Sequence, residues 1–158
     1  WDNIDYLFID LPPGTGDIQL TLSQKIPVTG SVVVTTPQDI ALIDARKAVD
    51  MFRKVNIPIF GVLENMSVHI CSQCGHSEAI FGSGGGQNLA ETLKVPLLGQ
   101  LPLALPVREA MDTGSALALQ RNHPQIAEIY QQAALSVALA VADKGKDFSG
   151  RFPKIVIE

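Results

Sequence analysis

Short apolar runs alternate along this chain with longer segments of helical periodicity. The four apolar runs lie at residues 6–10, 32–36, 59–63 and 97–101. They contain almost no polar alternation, which is typical of parallel strands covered on both faces. The segments at 40–54 and 124–142 repeat apolar residues every three or four positions, which indicates helices between the strands. We therefore predict a three-layer α/β fold, with a mostly parallel sheet and helices on both faces.

Composition limits the classes of function. The 158 residues suffice for one domain, and no uninterrupted apolar run is long enough to cross a bilayer. A net charge of −4, with Lys and Arg scattered along the chain, argues against a nucleic-acid surface. Two cysteines are too few for a secreted disulfide scaffold, and the first residues do not resemble a signal peptide. We expect a cytoplasmic protein that binds neither membranes nor nucleic acid.

The chain contains no convincing domain boundary. We expect residues 1–142 to form one domain and residues 143–158, which are rich in Lys, Gly and Asp at the start, to form a loose tail. The apolar residues at 154–157 could add an edge strand. Asp39 is a plausible N-cap for the helix at 40–54.

A carboxylate follows the first apolar run. Ligands of open α/β sheets bind beyond the carboxyl ends of the strands, so Asp10 is placed where a nucleotide-bound Mg²⁺ would lie. Gly14 and Gly16 allow the backbone to approach a phosphate closely. The alternative for Asp10 is an ordinary residue ending a strand before a Gly/Pro turn. Asp17, in the same turn, either orients an attacking water or caps the helix at 18–24, and capping is slightly favoured.

Cys71 and Cys74 are separated by two residues in a polar loop that also contains His69 and His76. This spacing lets both thiolates reach one metal ion or cluster. Two ligands complete neither a tetrahedral zinc site nor a [4Fe–4S] cluster, whereas a symmetric dimer would supply four. The residues alone leave several alternatives open: a metal shared between two chains, a zinc ion bound by both cysteines and both histidines, a redox dithiol, or two unpaired surface cysteines.

Taken together, the motifs resemble the Mrp/ApbC family of MinD-type P-loop ATPases, which carry iron–sulfur clusters. The resemblance covers most of the chain and rests on DLPPGTGD at 10–17, TPQD at 36–39, GVLENMS at 61–67, CSQC at 71–74, IFG at 80–82 and LPL at 101–103. It implies a P-loop NTPase-like fold in which residues 10–17 form the Walker B and switch II segment. Asp10 and Asp17 would then be catalytic, and Gly14 would contribute to the nucleotide site.

The resemblance also implies roles for the later motifs. Asn65 would face the nucleotide base, although an Asn at the end of a strand can instead make local turn hydrogen bonds. Cys71 and Cys74 would bind a [4Fe–4S] cluster that bridges a homodimer. The function implied is an ATP-dependent carrier, with ATP and Mg²⁺ as cofactors, that transfers its cluster to apo iron–sulfur proteins. The alternative function is a MinD-like nucleotide-switched interaction module with a structural zinc at the cysteine pair.

No Gly-rich loop ending in Gly-Lys-Ser or Gly-Lys-Thr occurs in these residues. The family carries that loop upstream of its Walker B strand. We therefore expect an N-terminally truncated, C-terminal part of a P-loop ATPase domain. The complete protein is expected to hydrolyse ATP, and this part is not expected to do so unaided.

Overall fold

The computed structural model describes residues 2–12 and 16–143. Gly14 and residues 144–158, with the suggested strand at 154–157, lie outside the described residues, whereas Asp143, which was assigned to the tail, is the last residue of the final helix. The elements, in chain order, are α1 (Asp17–Lys25), β1 (Ser31–Thr35), α2 (Asp39–Lys54), β2 (Ile59–Ile70), β3 (Ser77–Glu78), α3 (Gly85–Leu93), β4 (Leu97–Ala104), α4 (Leu105–Asp112), α5 (Ala116–Asn122) and α6 (Pro124–Asp143).

Strand β2 is the centre of the sheet. β1 pairs with its first half and β4 pairs along its other edge, both in parallel. The short β3 pairs in antiparallel fashion with the end of β2, at His69 and Ile70. Because β4 pairs with the same two residues, β3 must lie on the edge of β2 that β1 occupies further back. Three parallel strands therefore form the sheet that the sequence predicts, and β3 extends it beyond the end of β1.

Helices cover both faces of this sheet. Val62 of β2 is fully buried beneath α2 and α3, together with Val49 and Leu89 of those helices. On the opposite face α6 approaches β4 so closely that a Cβ atom on Gly99 would lie 2.9 Å from Cβ of Ala133. Burying each large aliphatic side chain contributes about 1.5–3 kcal/mol. The presence of helices on both faces of the sheet confirms the predicted three-layer arrangement.

The prediction of a strand at residues 6–10 is wrong. This segment has no strand pairing in the structure, and Phe8 is 74% exposed. An apolar run becomes a strand only when a neighbouring strand accepts and donates its ladder hydrogen bonds. Among the described residues, β1 pairs only with β2, and residues 6–10 pair with no strand.

The other predicted strands and helices are present, with shifted ends. The strand predicted at 59–63 continues to Ile70, and the strand predicted at 97–101 continues to Ala104. The two predicted aspartate caps are wrong, because the N-cap residues are Gly16 for α1 and Gln38 for α2. Asp17 and Asp39 are instead the first residues of their helices, where a carboxylate still interacts favourably with the helix dipole.

Candidate functional site

The two cysteines lie in the tight connection between β2 and β3. The backbone N–H of Cys71 donates to the carbonyl of His76 at 3.0 Å, which closes the hairpin. Within it, the N–H of Gly75 donates to the carbonyl of Cys71 at 2.9 Å. Gly75 has a φ of 72°, a conformation that costs a residue with a side chain about 1 kcal/mol or more. The sequence therefore forms a six-residue loop, 71–76, with both cysteines in it.

The loop also stabilises a thiolate. Three hydrogen-bond donors lower the pKa of Cys71. The backbone N–H of Cys74 has the largest effect, followed by the backbone N–H of Gln73 and then by the Cys74 thiol. The thiolate is the form that binds a metal. Cys71 is half-buried and Cys74 is exposed, and neither forms a disulfide. The two sulfurs therefore lie side by side at an accessible hairpin tip, where backbone N–H groups favour the thiolate form of Cys71.

The histidines beside the pair do not complete a metal site. His69 belongs to β2, where β3 and β4 pair with it, and His76 is exposed in the loop. Across residues 2–12 and 16–143 no three His, Cys, Asp or Glu side chains are grouped so that they could bind one metal ion. The alternative of one zinc ion bound by two cysteines and two histidines of the same chain is therefore not formed by the described residues.

Asn65 lies inside β2 rather than after it. The pairing of β2 with β4 is irregular between Asn65 and His69, and Met66 has a φ of 55°. Oδ1 of Asn65 accepts a hydrogen bond from the Met66 N–H at 2.9 Å, which is the local interaction expected as one alternative. Within this irregular stretch, the Ser67 hydroxyl donates a hydrogen bond to the Leu101 carbonyl of β4 at 3.1 Å. The Asn65 side chain is half-exposed, and its amide nitrogen has no hydrogen-bond partner among the described residues.

Neither acidic side chain of the 10–17 segment forms a hydrogen bond or an ion pair with the cysteines or with Asn65. Asp10 and Asp17 are both exposed, and no hydrogen bond or ion pair joins either side chain to another described residue. The segment is tied to the first helix by Gln19, whose side-chain nitrogen donates to the Pro12 carbonyl at 2.8 Å. Because residues 6–10 form no strand, Asp10 does not stand at the end of a sheet strand in this structure.

Glu64 directly precedes Asn65 in the 61–67 motif, and no role was predicted for it from the sequence. It is 1% exposed, and its carboxylate accepts hydrogen bonds from the Gly86 N–H and from the Gln100 side chain. The signal in the sequence was an acidic residue between the apolar run at 59–63 and Asn65. An acid at such a position is expected to end a strand, and here it is buried within one.

A parallel sheet with helices on both faces, whose central strand extends into a hairpin bearing two sulfurs, places the chain among the doubly wound α/β proteins. The ParA family profile, described as NUBPL iron-transfer P-loop NTPase, matches residues 1–138. The chain belongs to this family, and the resemblance drawn from its motifs is confirmed.

Several curated proteins are similar to the chain. An iron–sulfur cluster carrier protein of Pseudomonas fragi is 61% identical over 86% of this chain and 47% of its own length. One from Escherichia coli is 55% identical over 95% of the chain and 41% of its own length. The iron–sulfur cluster transfer protein NUBPL of mouse is 49% identical over 87% of the chain and 43% of its own length. The chain thus spans less than half the length of these relatives.

Two solved structures share the fold. The nucleotide-binding protein of Archaeoglobus fulgidus, in complex with ADP, has a TM-score of 0.57 at 28% identity and covers 96% of this chain and 52% of its own. The septum site-determining protein MinD of Pyrococcus horikoshii, complexed with Mg-ADP, has a TM-score of 0.53 at 23% identity and covers 74% and 45%. Among the residues described here, no helix is both long enough and apolar enough to cross a membrane.

Proposed function

We propose that this chain is part of an iron–sulfur cluster carrier and that Cys71 and Cys74 are its cluster ligands. The observation that carries the proposal is the hairpin tip, where two neighbouring sulfurs are accessible and backbone N–H groups favour the thiolate of Cys71. The names of relatives that are 49–61% identical support the same role. The cluster is cargo in this account, so an exposed site suits its release.

The ligand count supports a dimeric site. One chain offers two sulfurs, and a [4Fe–4S] cluster has four cysteine ligands. A second copy related by a twofold axis would supply the other two. Such a cluster would bridge the homodimer, with solvent on its open side. We infer that it passes from there to apo iron–sulfur proteins.

The nucleotide part of the proposal concerns Asp10, Gly14, Asp17 and Asn65. The unpaired amide nitrogen of Asn65 fits recognition of an adenine edge, because it is a half-exposed donor. Asp10 and Asp17 are exposed carboxylates, which are the ligands Mg²⁺ prefers. Hydrolysis of ATP bound with Mg²⁺ would then change the conformation of the 10–17 segment. We propose this activity for the complete protein, in the cytoplasm.

The alternative is an interaction module with a structural zinc at the cysteine pair. The same N–H groups that favour a thiolate for iron also favour it for zinc. The two functions differ in metal identity and in lability. A protein purified without oxygen and then incubated with an apo iron–sulfur acceptor should lose iron to the acceptor. Zinc at a fixed ratio that resists mild chelation, with no iron transfer, would instead support the interaction module.

A further inference from the structure

Glu64 is a buried carboxylate without a cationic partner. No Lys or Arg of residues 2–12 and 16–143 forms an ion pair with it. Its Oε2 accepts from the Gly86 N–H, in the first turn of α3, and its Oε1 accepts from Nε2 of Gln100 at 2.7 Å. A buried charge is costly unless such donors surround it, and the N-terminus of a helix is a favourable place for an anion. Glu64 thus connects β2, β4 and α3.

The cysteine hairpin needs a second point of attachment. It belongs to an excursion, residues 71–84, that leaves the end of β2 and returns to α3. At its near end only two residue pairs join β3 to β2. So short a ladder stabilises little on its own. Along the excursion, a Cβ atom on Gly75 or Gly84 would meet no other part of the described structure within 4 Å, whereas one on Gly82 would lie 3.9 Å from Cβ of Pro37. The excursion therefore approaches a neighbouring element near its far end and not at Gly75.

The far end of the excursion is tightly fixed. A Cβ atom on Gly85 would lie 2.6 Å from the carbonyl oxygen of Pro37, in the connection that follows β1. A Cβ atom on Gly86 would lie 2.8 Å from Cβ of Glu64. The first turn of α3 is therefore wedged between the β1–α2 connection and β2. The Glu64 carboxylate adds a directional hydrogen bond to this steric contact, which sets the position from which the excursion departs.

We infer that Glu64 is a positioning residue for the cysteine pair. It acts through Gly86, fixing the far end of the excursion so that the 71–76 loop presents both sulfurs in one geometry. It does not touch the metal. This inference rests on the proposed role of Cys71 and Cys74 as ligands. Residues that orient metal ligands typically change metal affinity by about 10- to 100-fold when they are removed.

The test compares Glu64→Ala with Leu89→Ala, because Leu89 is also fully buried and lies on α3 but is not one of the two hydrogen-bond donors to the carboxylate. Both variants lower the thermal midpoint. Amide exchange at Cys71 and Gly75 reports the order of the loop without any metal. Titration with Co²⁺, followed by thiolate-to-cobalt charge-transfer absorption, reports the geometry of the two sulfurs.

We expect Glu64→Ala to speed exchange at both amides and to weaken Co²⁺ binding by about 10- to 100-fold. Leu89→Ala should do neither. Glu64→Gln should retain most of the affinity, since its Oε1 accepts from Gly86 and its amide donates to Gln100 once the Gln100 amide is turned over. If the Ala variant does not fold, Glu64→Asp replaces it, because a side chain one methylene shorter does not reach both donors.

Unchanged amide exchange and unchanged Co²⁺ affinity in Glu64→Ala, or in Glu64→Asp where it takes the place of the Ala variant, would overturn the inference. An equal loss of affinity in Leu89→Ala would overturn it as well. A wild-type chain that binds no Co²⁺ at the cysteines would refute the proposed ligand role instead. The exchange measurement would then still decide on Glu64, because it requires no metal.

Discussion

Replacing Gly86 by Ala tests the contact between α3 and Glu64 directly. Ala is the better helix former by about 1 kcal/mol, so a free helix would gain stability. Here the new Cβ would lie 2.8 Å from Cβ and 2.9 Å from Oε2 of Glu64. Glu64 is buried and bonded on both oxygens, so it has no free direction in which to move. Overpacking of this kind costs about 1–3 kcal/mol, and a weakened hydrogen bond to the carboxylate costs about 1.5–3 kcal/mol more.

Because the hydrogen bond is weakened rather than lost, the unfavourable contributions lie near the lower ends of these ranges. After the gain in helix propensity is subtracted, we expect a net loss of about 2 kcal/mol. For a domain of this size, that lowers the thermal midpoint by roughly 4–8 °C. The assay is thermal unfolding followed by the helical circular dichroism signal. Gly84 provides the matched control, since its φ is 73° and a Cβ there meets open space.

Substitutions at the two glycines should therefore lower the stability for different reasons. Gly84→Ala is expected to lose about 1–2 kcal/mol through backbone strain alone, and Gly84→Asn to recover part of it, because Asn tolerates the left-handed region. Gly86→Asn should be at least as destabilising as Gly86→Ala. A Gly86→Ala protein that melts at or above the wild-type temperature would refute the described packing of α3 on Glu64.

Three further predictions concern the packing around the site. Leu89→Ala should lower the free energy of unfolding by about 2–5 kcal/mol in denaturant titration, because Leu89 is fully buried; a loss below 1 kcal/mol would contradict its place in the core. Arg53→Met should cost about 0.5–1.5 kcal/mol, since it removes the 2.7 Å hydrogen bond to the Leu93 carbonyl at the end of α3, and no loss would show that water replaces this bond. Burial raises the pKa of Tyr130 above its ordinary value of 10.0, so the unfolded chain ionises first and stability should fall as the pH rises above that value. The stability of Tyr130→Phe should fall less steeply with pH, and identical alkaline stability profiles of the two proteins would contradict burial of the phenol.

The sequence predicted the layers of the fold because apolar runs and helical periodicity report burial directly. It failed for residues 6–10, where the same apolar signal gave a strand that the described structure does not form. Composition reports that a run is suited to a sheet, but only the spatial arrangement decides whether a neighbouring strand is there to pair with it.

The prediction for β2 ended too early for a different reason. Glu64 and Asn65 are polar and follow an apolar run, so they indicated the end of a strand. The strand continues because Glu64 obtains its hydrogen bonds from Gly86 and Gln100, which lie 22 and 36 residues further along the chain. Long-range partners of this kind cannot be read from local sequence. The positive φ of Met66 could not be predicted from the sequence either, since Met is not a residue type that favours this conformation.

The cysteine pair was found from its spacing alone, and the structure adds the loop geometry that the spacing could not give. The backbone N–H groups that point at Cys71 depend on the tight turn closed by His76 and Gly75. The roles of Asp10, Asp17 and Asn65 stay predictions, because they depend on a bound nucleotide.

Metal analysis of the reconstituted chain decides whether Cys71 and Cys74 bind a cluster. The chain is purified without oxygen and reconstituted with iron and sulfide, and its iron, sulfide and zinc contents are determined together with its native mass. We expect about four iron and four sulfide per dimer, and their loss in Cys71→Ala. About one zinc per dimer without iron uptake, or iron retained in Cys71→Ala, would contradict the claim.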